Sequence, residues 1–174
     1  MCRGDWKTHG KHTGGFYSCN KYEKSEAKKI DDWATGYLED TSRYKHYYER
    51  YFNHSLSQNE MERKAQYIKS EASKYSTVSG NNFEQPIEDA LSLIIDCREF
   101  LKFSYVYGFF LEDPKERAIF EFLQSNAEGI TERLASMVIK PPKEIPIEDL
   151  KNLIRVTRNY LKNLEKGTEE GLLR

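Results

Sequence analysis

The sequence predicts an all-α fold: a helical bundle of about five helices with a central apolar helix, preceded by a short truncated zinc-binding stub. Three observations carry this. From Ser25 onward apolar residues recur at steps of three and four, the period of one helix face. No proline occurs before Pro86, so nothing breaks the first long helical stretch. No segment shows the sustained alternation of a half-buried strand, and no internal repeat is present. With 174 residues, 38% of them hydrophobic, the chain can bury a single core of one domain. The densest apolar run, the 12 residues from Phe100 to Leu111, contains Lys102. It falls short of the roughly 18 unbroken apolar residues a membrane span needs. Arg3 and Asp5 at the very start give no secretory leader.

Residues 1–22 differ from all that follows. Four of the ten glycines fall in the first 15 residues, and the segment holds two of the three cysteines, Cys2 and Cys19, and two of the four histidines, His9 and His12. Thiolate and imidazole are the ligands zinc prefers, and a closed structural site takes four. Cys2, His9 and Cys19 supply three, with His12 nearby, and Trp6 and the glycines suit a tight knuckle. The alternatives are three unrelated residues in a tail, or a Cys–His nucleophile pair. A glycine-rich terminus offers the latter no rigid pocket.

The helical part is taken in order. One stripe runs Tyr37, Thr41, Tyr44, Tyr48, Tyr51, Ser55; a second runs Met61, Ala65, Ile68, Ala72, Tyr75. The polar stretch Asn53 to Asn59 leaves open whether these make one bent helix or two. Residues 79–82, Ser-Gly-Asn-Asn, form a turn. The third helix runs from about Pro86 to Leu111, and its second half is apolar nearly all round, so it belongs at the centre as the most buried element. Asp113, Pro114 and Glu116 read as N-cap, first-turn proline and first-turn acid of a fourth helix carrying Ile119, Leu123, Ala127, Ile130, Leu134 and Met137. Pro141, Pro142 and Pro146 make a stiff linker. A fifth helix with Ile147, Leu150, Ile154, Thr157, Leu161 and Leu164 ends at Gly167, and residues 168–174 fray.

Charge narrows the function classes. The 27 basic and 28 acidic residues leave a net charge of −1, which argues against a general polyanion binder, so neither nucleic acid nor membrane is an expected partner. The distribution is uneven. Residues 1–30 carry seven Lys/Arg against three Asp/Glu, net +4, and residues 112–132 carry two against six, net −4. The odd cysteine count points to a reducing compartment, with Cys97 as a structural thiol in an apolar helix. Tyr44, Tyr47, Tyr48 and Tyr51, interleaved with Arg43 and Arg50, suit core packing better than base stacking. His46 and His54 read as surface or capping residues. Glu121, Glu128 and Glu132 are seven and four apart and share a helix face, a solvated or partner-facing acidic stripe. No phosphate-cradling glycine loop and no activated nucleophile is readable.

These residues resemble one family. Cys2, Trp6, His9 and Gly10, then Phe16, Tyr17, Cys19, Asn20 and Tyr22, look like the end of the catalytic second RING-like domain of Ariadne-type RING-between-RING ubiquitin-protein ligases. Arg43, Tyr44, Tyr47, Arg50, Tyr51, Asn53 and His54 are similar to the first helix of the Ariadne domain. Cys97, Arg98, Leu101, Tyr105 and Phe109 to Leu111 resemble its central helix, and Ile119 to Glu121, Gln124, Thr131 and Glu132 the next. The resemblance divides the chain into 1–22, the tail of the zinc domain, 23–167, the Ariadne helical domain, and 168–174. It implies that Cys2, His9 and Cys19 are the last three ligands of a zinc, with the first ligand and the catalytic cysteine upstream of Met1, so the fragment itself is not catalytic. Between His9 and Cys19 the stretch Lys11 to Gly15 is inserted relative to the family pattern.

The resemblance further implies an autoinhibitory role. The Ariadne domain folds onto the catalytic RING-like domain of its own chain and limits ubiquitin transfer from a conjugating enzyme until a cullin–RING complex releases it. Glu121 and Glu132 match the family's inhibitory acidic positions. An apolar–acidic pair falls on Glu60 and Met61, or on Met61 and Glu62 with a shift of one. The alternative is a helical docking module that binds ubiquitin, a substrate or a cullin complex. Either role implies a cytoplasmic or nuclear protein.

Overall fold

The computed structural model describes Lys7 and residues 24–171, with the backbone alone for residues 24–28. The chain divides into two compact units, Met1–Tyr44 and Lys45–Arg174. Among the described residues there are four α-helices and no strand: α1 (Lys24–Ser79), α2 (Glu84–Phe110), α3 (Pro114–Val138) and α4 (Ile147–Glu170). A 3-10 turn at Pro142–Glu144 occupies the proline linker. The expected zinc stub, with Cys2, His9, His12 and Cys19, lies outside the described residues, as do residues 172–174 of the stretch 168–174 that was expected to fray.

The count is four rather than about five because the stretch from Asn53 to Asn59 continues as helix. It holds neither glycine nor proline, and its His54 side chain is buried instead of capping an end. In the first unit, Trp33 and Tyr37 stack with centroids 5.8 Å apart, and the Thr41 hydroxyl donates to the Tyr37 carbonyl at 2.7 Å.

The inward face of α1 in the second unit is also not the one expected. Tyr48 is exposed, while Tyr47 and His54 are buried. Residues 47, 51, 54, 58, 61, 65, 68, 72 and 75 step by four and three without a break. The Met61 to Tyr75 stripe was therefore in register; in the tyrosine stripe before it Tyr51 lies on the same line, whereas Tyr48 and Ser55 fall one position, about 100° of helix, from the buried Tyr47 and His54.

Ser79 to Asn82 makes the turn into α2. Gly80 takes φ +69, the left-handed region only glycine enters cheaply, and its N–H closes on Ser76 O at 3.0 Å. The Ser76 hydroxyl accepts from the Phe83 N–H at 3.0 Å. α2 lies at the centre of the bundle, against α1, α3 and α4. Its first half, however, is the better covered. Ile87, Ala90, Leu91, Leu93, Ile94 and Cys97 are all buried, whereas Phe103, Val106 and Phe110 in the second half are exposed. Leu101, Ser104, Tyr105, Gly108 and Leu111 are the positions of the Phe100–Leu111 run that meet the expectation of a buried core, while the apolar side chains of its outer face are exposed among the described residues.

α3 starts as expected: the Asp113 carboxylate accepts from the Lys115 N–H at 2.8 Å, and Pro114 fills the first turn. The Arg117 side chain reaches back to donate to Leu111 O, closing the C-terminus of α2. α4 does not stop at Gly167. The helix continues to Glu170 and ends at Gly171, φ +85. A glycine inside a helix costs only about 1 kcal/mol relative to alanine, whereas the left-handed stop falls to Gly171. Two apolar clusters result. The larger joins Met61 and Ala72 to Ile87, Leu91, Ile94, Leu134, Leu150 and Ile154; the smaller joins Leu101, Phe120, Ala127 and Leu164. No helix among the described residues is long and apolar enough to cross a membrane.

Candidate functional site

The face of α3 that carries Glu121, Glu128 and Glu132 turns toward α1 and α2, and all three carboxylates are held from across that interface. The Tyr47 hydroxyl of α1 donates to Glu121 Oε1 at 2.6 Å. Glu128 Oε1 accepts from His54 Nε2 and from the Tyr105 hydroxyl, each at 2.7 Å, with the Arg50 guanidinium at 4.0 Å. Arg98 Nη2 donates to Glu132 Oε1 at 2.8 Å, and Arg98 Nη1 lies 3.3 Å from His54 Nδ1.

A guanidinium has no acceptor, so this set of partners fixes the histidine tautomer. Nδ1 must accept from Arg98, and Nε2–H must donate to Glu128. His54 is thereby the hub between one arginine and one carboxylate. It is only 6% exposed and Arg98 5%, so both are paired because they are buried. Arg98 Nε has no hydrogen-bond partner among the described residues. Aromatic faces complete the packing: His54 stacks on Tyr105 at 5.6 Å, and Tyr47 meets Tyr105 and Phe109 edge-on at 6.0 and 5.9 Å. One turn further along, Gln124 Nε2 donates to Ser104 Oγ at 2.6 Å. Gly108 lets the helices close here, since a Cβ would sit 3.0 Å from the Tyr47 ring and 3.2 Å from that of Phe120.

The ionisation of the cluster follows from its partners. Burial raises the Glu128 carboxyl, but the hydrogen bonds from His54 and Tyr105 and the charge of Arg50 outweigh it and hold the group below its ordinary value. The Tyr105 hydroxyl is pushed well above its usual range by burial and by donating to the Glu128 carboxylate. A cleft of about 380 Å³ opens over the cluster, lined by Asn53, Ser57, Arg98, Glu128, Gly129 and Glu132. Glu121 and Glu132 each keep an exposed side toward solvent. The arrangement offers carboxylates fixed in direction. It does not offer an activated nucleophile.

The other residues singled out in the sequence scatter. Glu60 pairs with Lys64 at 2.6 Å on the surface, and Glu62 accepts from Gln58 at 3.4 Å. Met61 is buried in the larger apolar cluster. Cys97 is buried, and burial first of all pushes its thiol up to about 11, so it stays protonated and inert. Cys2, His9 and Cys19 are outside the described residues; among those described, no group of three His, Cys, Asp or Glu could hold a metal ion.

Sequence reasoning missed His54 as a buried hub, Arg98 as a buried cation and Tyr47 as the inward tyrosine. It placed His54 at the surface or at a cap. The signal for Tyr47 and His54 was present: the three-and-four step of Met61 to Tyr75, carried back toward the N-terminus, lands on both.

No protein-family model matches the chain. It is similar to "Probable E3 ubiquitin-protein ligase rbrA" of Dictyostelium discoideum, 32% identical over 186 residues covering 99% of this chain and 35% of that protein. It is 36% identical over 196 residues to "Probable E3 ubiquitin-protein ligase ARI8" of Arabidopsis thaliana, covering 99% of this chain and 34% of that protein. To "E3 ubiquitin-protein ligase ariadne-1" of Drosophila melanogaster it is 28% identical over 164 residues, 92% of this chain and 31% of that protein. The chain spans about a third of the length of these curated relatives, and the match falls on their C-terminal part. On this match and the helical bundle already described, the chain belongs to the Ariadne family of RING-between-RING ubiquitin-protein ligases.

Proposed function

We propose that this chain is the regulatory Ariadne region of a ubiquitin ligase. It folds onto the catalytic RING-like domain of the same protein and limits ubiquitin transfer until a cullin–RING complex releases it. The observation that carries the reading is the clamped acidic face of α3. Glu121 and Glu132 occupy the positions the family resemblance marks as inhibitory. Each has one oxygen held by an internal donor, Tyr47 or Arg98, and an outer side left to a partner. Carboxylates fixed in this way bind basic or N–H groups with little ordering cost. Glu60 is the exposed member of the α1 pair, since Met61 is turned into the core.

On this reading Cys2, His9 and Cys19 hold a structural zinc together with a fourth ligand, and zinc supplies fold rather than chemistry. The conjugating enzyme, ubiquitin and the cullin complex are partners of the whole ligase, in cytoplasm or nucleus. The test is to add this chain in trans to a ligase core that lacks it. Slower autoubiquitination supports inhibition. Binding without slowing favours the docking module, which the exposed aromatic face of Phe103, Val106 and Phe110 recommends.

A further inference from the structure

Glu132 and the cation that holds it sit in opposite environments. The Glu132 side chain is 63% exposed, whereas that of Arg98 is 6% exposed. A glutamate so exposed, left alone, samples several rotamers in water, and any contact it makes must first order it. Its Oε1 is instead held by Arg98 Nη2 at 2.8 Å. Whatever orients Arg98 therefore decides where this carboxylate stands.

The guanidinium has few holds among the described residues. Its Nε has no hydrogen-bond partner, and Nη2 is given to Glu132. The remaining hold is Nη1, 3.3 Å from His54 Nδ1. His54 is itself fixed from two sides. Its Nε2 donates to Glu128 Oε1 at 2.7 Å, and its ring stacks on Tyr105 with 22° between the planes. Glu128 lies one turn before Glu132 on α3. The contacts thus close a loop. Glu128 of α3 sets the imidazole of α1, the imidazole sets the guanidinium of α2, and the guanidinium sets Glu132, back on α3.

We propose that His54 and Arg98 are positioning residues of the inhibitory face and act on the partner only through Glu132. This rests on the inhibitory reading above and deepens it. Both side chains are almost wholly buried, so their effect on a partner is indirect. The loop needs an acceptor at Nδ1 and a donor at Nε2, so an apolar ring breaks it, while an amide, with one acceptor and one donor, keeps it. For Arg98, charge and position make opposite predictions. Were it only a charge, its loss would leave the face more acidic and tighten a contact with basic groups. If it positions Glu132, its loss frees that side chain and weakens the contact.

The test adds the 174-residue chain in trans to a ligase core that lacks it. It reads the concentration that halves autoubiquitination, with the helical signal and urea unfolding of every variant alongside. H54F, which keeps an aromatic ring against Tyr105, and R98M should each raise that concentration about fivefold. H54Q should stay within about twofold of the native chain. In an E132A chain neither H54F nor R98M should add to the loss that E132A alone produces. Losses that multiply in that background would show a merely structural role and overturn the proposal. Tighter inhibition by R98M overturns it as well. Should H54F unfold, R98M with and without E132A carries the same comparison. Weaker inhibition by E132A with native inhibition by H54F and R98M overturns this proposal alone, whereas a native chain that does not slow the core overturns the inhibitory reading with it.

Discussion

The same helices, α1 and α2, are joined by different means at their two ends. Toward the α1–α2 turn, Met61, Ala72, Ile87, Leu91 and Ile94 meet α3 and α4 in a continuous apolar cluster. Toward the other end, Tyr47, His54, Arg98 and Tyr105 meet Glu121, Glu128 and Glu132 in a hydrogen-bonded network. Apolar burial is non-directional and tolerates small shifts. The network demands particular atoms at particular distances, and a partner removed leaves a buried donor or acceptor unmatched. One end supplies stability, and the other fixes the directions in which three carboxylates point.

Substitutions at the two ends should separate these roles. The largest loss belongs to the apolar end. Ile94→Ala, at a fully buried position, should cost about 2–5 kcal/mol in a urea or thermal unfolding series. A cost below about 1 kcal/mol would place Ile94 outside the core. Glu128→Ala removes one acceptor from two buried donors and should cost roughly 1.5–3 kcal/mol. Its pH signature sharpens the distinction. Although burial raises it, the hydrogen bonds from His54 and Tyr105 hold the Glu128 carboxyl below its ordinary carboxylate value in the fold. Its contribution is therefore intact above that value and is lost as pH falls through the lower folded one. Melting temperature followed through this acid range should drop more steeply in the native chain than in E128Q; parallel curves would show that the carboxylate is not stabilised by its partners. Gly108→Ala should be smallest, about 1 kcal/mol, because crowding of the Tyr47 and Phe120 rings is offset by better helix propensity. A stabilised G108A would mean that the rings move aside freely.

The apolar end was legible in the sequence and the polar end was not. Met61 to Tyr75 repeats one residue type at one period, and Asp113 with Pro114 announces its helix start within four residues. Tyr47 and Glu121, or His54 and Glu128, are 74 positions apart, and nothing local links them. The acid stripe on α3 was read correctly as one face, yet its partners were invisible. Tyrosines at 44, 47, 48 and 51 allow two registers, and periodicity over so short a stretch does not choose between them. The exposure of Phe103, Val106 and Phe110 likewise depends on where the neighbouring helices stop, which composition does not state.

On the proposed function Glu121 and Glu132 act at an inhibitory contact, and removing both carboxylates shows whether they do. Both are changed to alanine in a full-length ligase carrying this region, and autoubiquitination is followed with no cullin complex present. Unfolding is measured alongside, because Glu132→Ala deprives the buried Arg98 of its carboxylate. Each interfacial contact to a charged group is worth about 1.5–3 kcal/mol, and about 1.4 kcal/mol is a factor of ten. Transfer should be faster by on the order of tenfold or more, with the bundle still folded. An unchanged rate in a folded double variant would contradict it.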